Sequence, residues 1–336
     1  LLKANQMTIR FGVIGAGRIG KVHAKTIAGN PKASLVYIAD ALPKAAQELA
    51  GQYGAQVATV EQIIQAKDVD AVVIGSPTGF HAEQIQAASN AGKAIMCEKP
   101  VSLSVASIEQ TLKVVAANRS ILMIGFNRRF DPHFGEVERR VRHGEIGAIE
   151  LMTIISRDPG PPPAEYIAGS GGLFRDMMIH DLDLARFMMG EEFVVVNALG
   201  SSLVDPAIGV AGDVDTAAVQ MQTASGRIAV ITNSRRATYG YDQRIEVHGS
   251  KGMIHAKNVH NSTVELLSAS GYLADPIQNF FLERYVAAYA NELNAFIDAV
   301  EAGNRDPRPS GFDGLQAQRL ADAATQSWKT GMPVKV

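Results

Sequence analysis

The sequence is poor in cysteine and in net charge, and each shortage excludes a class of protein. Cys97 is the one cysteine in 336 residues, which excludes an intramolecular disulfide and a multi-thiolate zinc site. The formal net charge is only −2, so the chain lacks the basic surface that nucleic-acid binding needs. We therefore expect no metal site and no nucleic-acid partner.

Long apolar runs and an export signal are also lacking. No apolar run approaches the roughly 20 residues that span a bilayer, and the N-terminus lacks the basic-then-apolar layout of a signal peptide. The letters "LLKANQ" before Met7 read as a vector remnant or an upstream mis-start, because a strand pattern begins at Thr8. We expect a cytoplasmic protein with no membrane partner.

The chain has the composition of a globular protein and the length of two domains. Hydrophobic residues make up 46% and charged residues 20% of its 336 residues, which is ordinary for a packed chain. The pattern changes near residue 127. It predicts a dinucleotide-binding domain over 7–126 and a second α/β domain over 127–336, with the C-terminal helix free to pack back on the first.

A glycine-rich turn follows the first predicted strand. The apolar run "IRFGVI" leads through residues 15–20 into a helical pattern. In such a strand–turn–helix, the first glycine permits the turn, the second admits a pyrophosphate, and the third lets the helix pack on the strand. The helix N-terminus then faces the phosphates. The predicted cofactor-binding residues of this turn are Gly15, Ala16, Gly17, Arg18, Ile19 and Gly20.

The residue that ends the second predicted strand selects the cofactor. Asp40 stands twenty residues after Gly20, where a carboxylate takes the ribose hydroxyls of NAD. The next residues, Ala41 to Pro43, offer no cation for a 2′-phosphate, and Lys44 is the nearest one. The sequence predicts NAD rather than NADP.

Strands and helices go on alternating through residue 127, which predicts a doubly wound Rossmann sheet. Ligands bind at the carboxyl ends of the strands of such a sheet. The predicted cofactor edge therefore also includes residues that follow three of the strands: Asp40, Ser76, Pro77, Thr78, His81, Glu98, Lys99 and Pro100. By itself, His81 reads as a polar residue at a helix start, and Lys99 as a solvated lysine unless a cleft encloses it.

The stretch "GGLFRDMMIHDLDLARFMMG" (171–190) reads as one buried helix that carries ionisable groups. Asp176, His180 and Asp183 stand at i, i+4 and i+7, so one helical face would hold all three. A buried charge must be paired or must face a cavity. Asp176 and His180 read either as a structural pair or as active-site groups, whereas Asp181 and Asp183 read as helix-surface residues or as contacts between elements.

The second predicted domain is rich in alternating strands. A charged helix is predicted over 128–147, and period-2 stretches follow from 149 to 256. Such alternation predicts a large open sheet, mostly antiparallel, with one face packed on helices. In the final helices, over 279–302 and 311–330, the sequence shows no site residue beyond Tyr285.

At Glu98-Lys99-Pro100 the chain resembles the glucose–fructose oxidoreductase, inositol dehydrogenase and rhizopine-catabolism (Gfo/Idh/MocA) superfamily. The stretches "GFNRRFDPHF", "SRDP", "SGGLFRDMMIHDLDLARF", "NSRRATYGYDQRIEVHGSKG" and "FFLERYVAAYANE" are similar to bacterial myo-inositol 2-dehydrogenases within it. The helix differs from its commonest inositol-dehydrogenase form at three positions, Met178, Leu182 and Leu184. These differences bear on which stereoisomer of the substrate is preferred. The resemblance implies a Rossmann domain, a C-terminal α/β domain with an open sheet, and a homotetramer formed through that sheet.

The resemblance also assigns roles. It implies that Lys99, Asp176 and His180 act on a cyclic polyol while NAD takes the hydride. His180 would be the general base, Lys99 would stabilise charge on the oxygen, and Asp176 would bind a hydroxyl. The substrate-binding residues carried over from the matching stretches are Asn127, Arg128, Asp158, Tyr239 and Tyr285. Alternatively, Arg128 and Arg129 form ion pairs at a hinge, and Tyr239 and Tyr241 pack as loop aromatics.

Three rival functions stay open at this point. Another dehydrogenase of the superfamily, acting on scyllo-inositol or on an aldopyranose such as glucose or L-glucose, would use the same residues. A hydrolase or lyase that retains and recycles NAD is a rival from another enzyme class. A silent NAD-sensing regulator is the third, but it would not need Lys99 and His180.

Overall fold

The chain divides into two compact units. The structure is a computed structural model and describes residues 8–336, without the side chains of Ala164, Glu165 and Ala168. One unit comprises residues up to 127 together with 288–316, and the other comprises 128–287 together with 317–336. The predictions for residues 1–7, including Met7 as the start of a domain, lie outside the described residues.

A six-stranded parallel sheet forms the centre of the first unit. Its strands are β1 (Ile9–Ile14), β2 (Ala33–Ala39), β3 (Gln56–Val57), β4 (Ala71–Ile74), β5 (Ala94–Glu98) and β6 (Leu122–Gly125). The helices between them are α1 (Arg18–Ala28), α2 (Pro43–Tyr53), α3 (Val60–Gln65), α4 (His81–Asn90) and α5 (Val105–Ala117). The strand order is β3-β2-β1-β4-β5-β6, which is the dinucleotide-binding order with its switch point between β1 and β4.

The burial of this sheet explains its sequence. Every residue of β4 and β5 is buried, as expected where helices cover both faces of a parallel sheet. Helix α3 begins at a capping box, in which Thr59 accepts from the Gln62 amide and the Gln62 side chain accepts from the Thr59 amide. The Rossmann fold predicted for this part of the chain is confirmed.

A late segment of the chain returns to the first unit. Helix α12 (Val286–Glu301) lies largely within residues 288–316. Its Phe296 ring packs 6.1 Å from the Phe11 ring of β1. At its end, the Lys32 ammonium binds Asp298 at 3.0 Å and Glu301 at 2.9 Å. An aromatic contact and surface ion pairs thus attach this segment to the Rossmann sheet.

The second unit is built on a seven-stranded sheet. Its strands are β7 (Ile149–Arg157), β8 (Phe193–Ser201), β9 (Thr216–Thr223), β10 (Ile228–Ser234), β11 (Asp242–Gly249), β12 (Gly252–Ala256) and β15 (Val334–Lys335), and a separate hairpin comprises β13 (Glu265–Ser268) and β14 (Gly271–Ala274). Its helices are α6 (Pro132–Arg142), α7 (Ala164–Ser170), α8 (Leu173–Asp176), α9 (Ile179–Met189), α10 (Pro206–Val210) and α11 (Phe281–Arg284). Helix α13 (Gly311–Thr330) ends in this unit.

This sheet is mixed but mostly antiparallel, as predicted. The order is β12-β11-β7-β10-β9-β8-β15, and β7 with β10 is the parallel pair. Alternate residues of β7 and β10 are buried, because one face of the sheet meets helices. The hairpin β13–β14 and the short strand β15 were not anticipated, because β13 is exposed throughout and β15 has two residues.

The single helix predicted over 171–190 is wrong. The segment forms α8 and then α9, separated by Met177 and Met178. The amides of both methionines donate to the same Leu173 carbonyl, at 3.0 and 2.9 Å, so the regular i to i−4 ladder is interrupted there. Asp176 and His180 therefore belong to different helices, and the argument that placed them on one helical face does not hold.

The charged helix predicted over 128–147 is shorter than expected. A 3-10 turn spans Asn127–Phe130, and α6 begins only at Pro132. Asp131 accepts from the amides of His133 and Phe134, so it caps the helix, and Pro132 occupies the first helical position. Within residues 8–336, no helix is long and apolar enough to cross a membrane.

Substituting Asp131 tests what holds the start of α6. The Asp131 carboxylate is fully buried and binds the buried Arg284 guanidinium, with Nη2 3.1 Å from Oδ1. Asp131→Asn keeps an oxygen for the cap but leaves the arginine charge uncompensated, so we expect a loss of about 3 kcal/mol of unfolding free energy. Urea unfolding measures it. Asp205→Asn, at the cap of α10, is the control, and an equal loss in both variants would contradict the ion-pair explanation.

Candidate active site

The glycine turn of the first unit is shaped by two close approaches. Gly15 has φ +104°, and a Cβ there would lie 2.5 Å from the Gly75 carbonyl oxygen. A Cβ on Gly20 would lie 1.8 Å from the Gly15 carbonyl oxygen. Neither position admits a side chain. In contrast, a Cβ on Gly17 would meet no atom within 4 Å, so there is open space above this glycine, at the N-terminus of α1.

Asp40 closes the same turn from the end of β2. Its Oδ2 accepts from the Ala16 amide at 2.6 Å, and its Oδ1 accepts from the Leu42 amide at 2.8 Å. Two amide donors fix the carboxylate and leave lone pairs for further hydroxyl donors. The structure thus brings Asp40 to the glycine turn. Arg18 and Ile19 follow as the first two residues of α1.

His81 links two strand ends of the predicted cofactor edge. Its Nδ1 lies 2.8 Å from the Pro100 carbonyl and its Nε2 lies 2.7 Å from the Ser76 carbonyl. The ring is 1% exposed, and burial lowers the pKa of His81. Each ring nitrogen faces a backbone carbonyl, and the neutral ring donates to one of the two at a time. His81 thus lies between the segment after β4 and the segment after β5. Pro77 and Thr78 form the intervening turn.

Glu98 and Lys99 stand at the carboxyl end of β5. The Glu98 carboxylate is buried, and its Oε1 lies 2.7 Å from Nε2 of His23 in α1. Lys99 follows as a half-buried residue directly before Pro100. The catalytic role of Lys99 stays a prediction.

In the second unit, Asp176 lies at the end of α8 among polar partners. The Tyr166 hydroxyl donates to its Oδ1 at 2.9 Å, and Nη2 of Arg235 lies 3.5 Å from its Oδ2. Arg235 is 2% exposed. A buried guanidinium thus lies beside the Asp176 carboxylate. Arg235 was not among the predicted site residues, although it lies in the quoted "NSRRATYGYDQR" stretch.

Asp158 lies at the end of β7 in the field of the same arginine. Burial raises the pKa of Asp158 to about 6, against the opposing charges of Arg235 and Arg128. Its backbone amide donates to the Ser234 carbonyl at 2.9 Å, so the end of β10 fixes its position. The second unit thus holds Asp158 and Asp176 around one buried cation.

His180 begins α9 next to a buried aspartate. Asp181 is fully buried and pairs with the Arg128 guanidinium. It also accepts from the Ser156 hydroxyl at 2.7 Å and from the Asn233 amide at 2.8 Å. Because α9, β7 and β10 all contribute to it, this Asp181 network fixes the start of the helix, where half-buried His180 lies. From the sequence, Asp181 was predicted only to lie on the helix surface or to make a contact between elements.

The two arginines of "NRRF" are ion-paired within the second unit. Arg129 binds Asp183 through two nitrogens, at 2.8 and 2.6 Å, while Arg128 binds Asp181 and Ser156. Both arginines therefore form ion pairs, as the alternative to substrate binding predicts. Asn127, 3% exposed, belongs to the first unit and precedes them.

The two predicted tyrosines differ in environment. Tyr239 is 51% exposed, and its hydroxyl donates to Asp242 at 2.6 Å and accepts from Arg157 at 2.8 Å. Tyr285 is 2% exposed, and its hydroxyl donates to Gln243 at 3.3 Å. Burial raises the pKa of Tyr285 to about 12, so it stays a neutral hydroxyl. Tyr241 packs edge-on to it at 6.0 Å.

Models of known protein families match two parts of the chain, one in each unit. Residues 9–126 match the model of an oxidoreductase family with an NAD-binding Rossmann fold, and residues 134–255 match the GFO/IDH/MocA C-terminal domain. The chain belongs to the GFO/IDH/MocA oxidoreductase family. The Gfo/Idh/MocA resemblance of the sequence is therefore confirmed, and NAD is the cofactor of the family's Rossmann fold.

Individual members of the GFO/IDH/MocA family match along nearly the whole chain. Inositol 2-dehydrogenase of Rhizobium meliloti is 55% identical over 96% of this chain and 97% of its own length. Among solved structures, a myo-inositol dehydrogenase of Corynebacterium glutamicum is 44% identical, with TM-score 0.94 over 98% of this chain and 99% of its own. The scyllo-inositol dehydrogenase of Lactobacillus casei with bound NAD(H) and scyllo-inositol is 33% identical, with TM-score 0.91 over 98% and 99%.

The residues of the first unit fit the cofactor of the GFO/IDH/MocA family. The open space at Gly17 is where a pyrophosphate approaches the backbone, and the N-terminus of the eleven-residue α1 supplies amide donors. Asp40 offers a carboxylate for ribose hydroxyls. Lys44 is the first cationic residue after Asp40 in the sequence. Its Nζ lies on the surface of α2, 3.8 Å from Oε1 of Glu48.

Gly17→Ala separates cofactor binding from folding. The new methyl group meets no protein atom, so we expect stability to change by less than about 1 kcal/mol. It occupies the pyrophosphate space, so we expect the Kd for NAD to rise at least about tenfold. Titration calorimetry and urea unfolding measure the two effects. Gly51→Ala in α2, also in open space, is the control, and unchanged NAD affinity in Gly17→Ala would refute this role.

Proposed function

We propose that this chain is an NAD-dependent inositol 2-dehydrogenase, which oxidises a secondary hydroxyl of myo-inositol to the keto-inositol. The observation that carries the proposal is the likeness, over nearly the whole length of both chains, to the inositol 2-dehydrogenase of Rhizobium meliloti. The polar groups of the second unit support it, because a ring polyol has many hydroxyls and no charge. Such a substrate needs acceptors and donors rather than a clamp for an anion.

We assign the reacting hydroxyl to Lys99, Asp176 and His180. Bound NAD supplies the acceptor for the hydride that leaves the carbon. The His180 imidazole takes the hydroxyl proton, since histidine titrates near neutrality. The Lys99 ammonium donates to the same oxygen and stabilises its developing charge. Asp176, which lies beside the Arg235 guanidinium, accepts from a neighbouring hydroxyl and fixes the ring.

The remaining contacts to the polyol are proposed for the residues carried over from the matching stretches. Asp158 and Tyr285 are suited to hydroxyl recognition, as a carboxyl that titrates near neutrality and a buried neutral phenol. Asn127 adds an amide. Arg128 and Tyr239 already bind Asp181 and Asp242, so their part is to shape the site and to offer remaining donors. We propose no metal in the reaction.

The two units divide the work in this proposal. The first unit, which corresponds to the predicted domain over 7–126, binds NAD, and its added segment 288–316 supports the sheet. The second unit, within the predicted domain over 127–336, binds the polyol. Asp40 supports NAD over NADP, because its carboxylate can accept the ribose hydroxyls of NAD and would repel the 2′-phosphate of NADP.

A panel of polyols tests the function. With NAD, we expect myo-inositol to give steady formation of free NADH, followed by absorbance, and NADP to be used poorly. Scyllo-inositol is the second candidate, because the likeness to the Lactobacillus casei enzyme covers the whole fold. Glucose and L-glucose serve as comparison substrates. No reduction with any polyol would sink the dehydrogenase proposal, and product without free NADH would favour an enzyme that recycles NAD.

Variants test the assigned roles in the same assay. We expect Lys99→Ala and His180→Ala each to lower kcat by about 10²- to 10⁴-fold, the usual contribution of a positioned proton-transfer group. Lys25→Ala, on the exposed face of α1, is a control of the same chemical type. Near-full turnover in either folded active-site variant would show that the role is wrongly assigned.

We further propose a cytoplasmic homotetramer formed through the open sheet of the second unit. Four apolar side chains stand exposed on the face turned away from its helices: Leu151, Leu199, Ile228 and Met253. Leu151 and Ile228 are direct neighbours across β7 and β10. Light scattering should give about four times 35.9 kDa, and Leu151→Glu with Ile228→Glu should lower that mass. A monomeric mass for the unaltered protein would refute the tetramer, and recovery in a non-cytosolic cell fraction would refute the location.

A further inference from the structure

A carboxyl group with no hydrogen-bond partner lies buried in the first unit. Glu292 of α12 is fully buried, and neither of its oxygens has a partner among the described residues. Buried carboxyls in folded proteins are nearly always hydrogen-bonded or paired with a cation. No site was predicted here from the sequence, because Glu292 stands in an ordinary amphipathic helical pattern.

The charged group that acts on Glu292 is a second carboxylate, Glu98 of β5. Glu98 Oε1 lies 2.7 Å from Nε2 of His23, and its Oε2 packs against Gly125, where a Cβ would come within 3.0 Å. The edge of the His23 ring meets Tyr289 at 5.8 Å. We call Glu292, Glu98 and His23 the buried triad. The other titratable groups in the field of Glu98 are Cys97 and His81.

The triad stores a proton. Burial, together with the nearby Glu98 charge, raises the pKa of Glu292 well above its usual range. A carboxylate that is fully buried without a hydrogen bond or a cation is strongly disfavoured, so Glu292 holds its proton. Such an arrangement costs folding free energy. Costly buried acids are characteristic of functional sites.

The triad belongs to the elements that form the cofactor edge. His23 stands in α1, the helix that starts at the glycine turn, and Glu98 ends β5 directly before Lys99. NAD changes charge in its reaction, because the oxidised nicotinamide ring is a cation and the reduced ring is neutral. Negative charge in this part of the unit therefore favours the oxidised form.

We propose that Glu292 is a positioning residue of the NAD site, acting through Glu98, and that the buried proton on Glu292 sets the balance between binding of oxidised and reduced cofactor. Loss of the proton at higher pH adds a negative charge and favours NAD⁺ over NADH. The inference rests on NAD binding by the first unit and not on which polyol is oxidised.

Cofactor affinities measured without substrate test it. The full chain is titrated with NAD⁺ and with NADH from about pH 6 to about pH 9, the range in which buried glutamates titrate. In the unaltered protein, we expect Kd(NADH)/Kd(NAD⁺) to rise about tenfold over this range, the effect of one pKa unit of coupling. In Glu292→Gln, a neutral isostere of the protonated acid, this rise should be clearly smaller, and any change that is left reports on other titrating groups such as Asp158.

The matched control is Glu301→Gln in the same helix, where the glutamate lies at the surface beside Lys32. It should keep the rise of the unaltered protein. A rise of equal size in Glu292→Gln would overturn the proposal. Because no polyol is present, this result is independent of the panel assay, so either proposal can fail alone.

Two readouts follow the proton itself. At neutral pH, the infrared spectrum should contain a protonated carboxylic-acid band that Glu292→Gln lacks, and its absence from the unaltered protein would overturn the proposal. In unfolding, the native protein holds the Glu292 proton more tightly than the unfolded chain, whose pKa is near 4.5. Stability should thus fall as pH rises above that value, up to tenfold in the unfolding equilibrium per pH unit. Glu292→Gln should remove that fall, and an unchanged pH dependence would contradict a stored proton.

Discussion

The contact between the Gly15 carbonyl and the Gly20 α-carbon is the constraint on which the first unit depends. A Cβ on residue 20 would lie 1.8 Å from the Gly15 carbonyl oxygen. The chain can therefore turn from β1 into α1 only if residue 20 is glycine. That turn directs the amides at the start of α1 into the space above Gly17 and places the Ala16 amide on Asp40. Cofactor recognition here is thus a consequence of how closely a helix can approach a strand.

Buried charge organises the second unit, whereas close packing organises the first. Asp181 has no exposed surface and binds three donors from three elements. Removing Arg128 would leave the buried Asp181 charge uncompensated, which is strongly unfavourable. The start of α9 is therefore held in one position, and His180 is carried with it. In the proposed mechanism, the position of His180 thus depends on the buried aspartate next to it in sequence.

What could be predicted from the sequence followed from local rules. The glycine turn, Asp40 and the alternating strands each have a short-range physical cause, and from them the fold of both units could be predicted. The break between α8 and α9 had no such signal, because "MMI" is compatible with a helix and the interruption is a matter of two amides sharing one carbonyl. Arg235 and Glu292 were missed because their importance depends on burial, which comes from residues distant in sequence.

Both units keep a carboxyl group where burial opposes its charge. In the second unit, the Arg235 and Arg128 charges oppose the effect of burial on Asp158, and its pKa settles near neutrality. In the first, burial and the Glu98 charge act in the same direction and raise the pKa of Glu292 well above its usual range. The neighbours and the depth both differ, since Asp158 is half-buried and Glu292 is fully buried. In the proposed function, the cations beside Asp158 leave it able to accept hydroxyl donors of the substrate. The acid beside Glu292 favours a stored proton instead, which in our proposal acts on a cofactor whose own charge changes in the reaction.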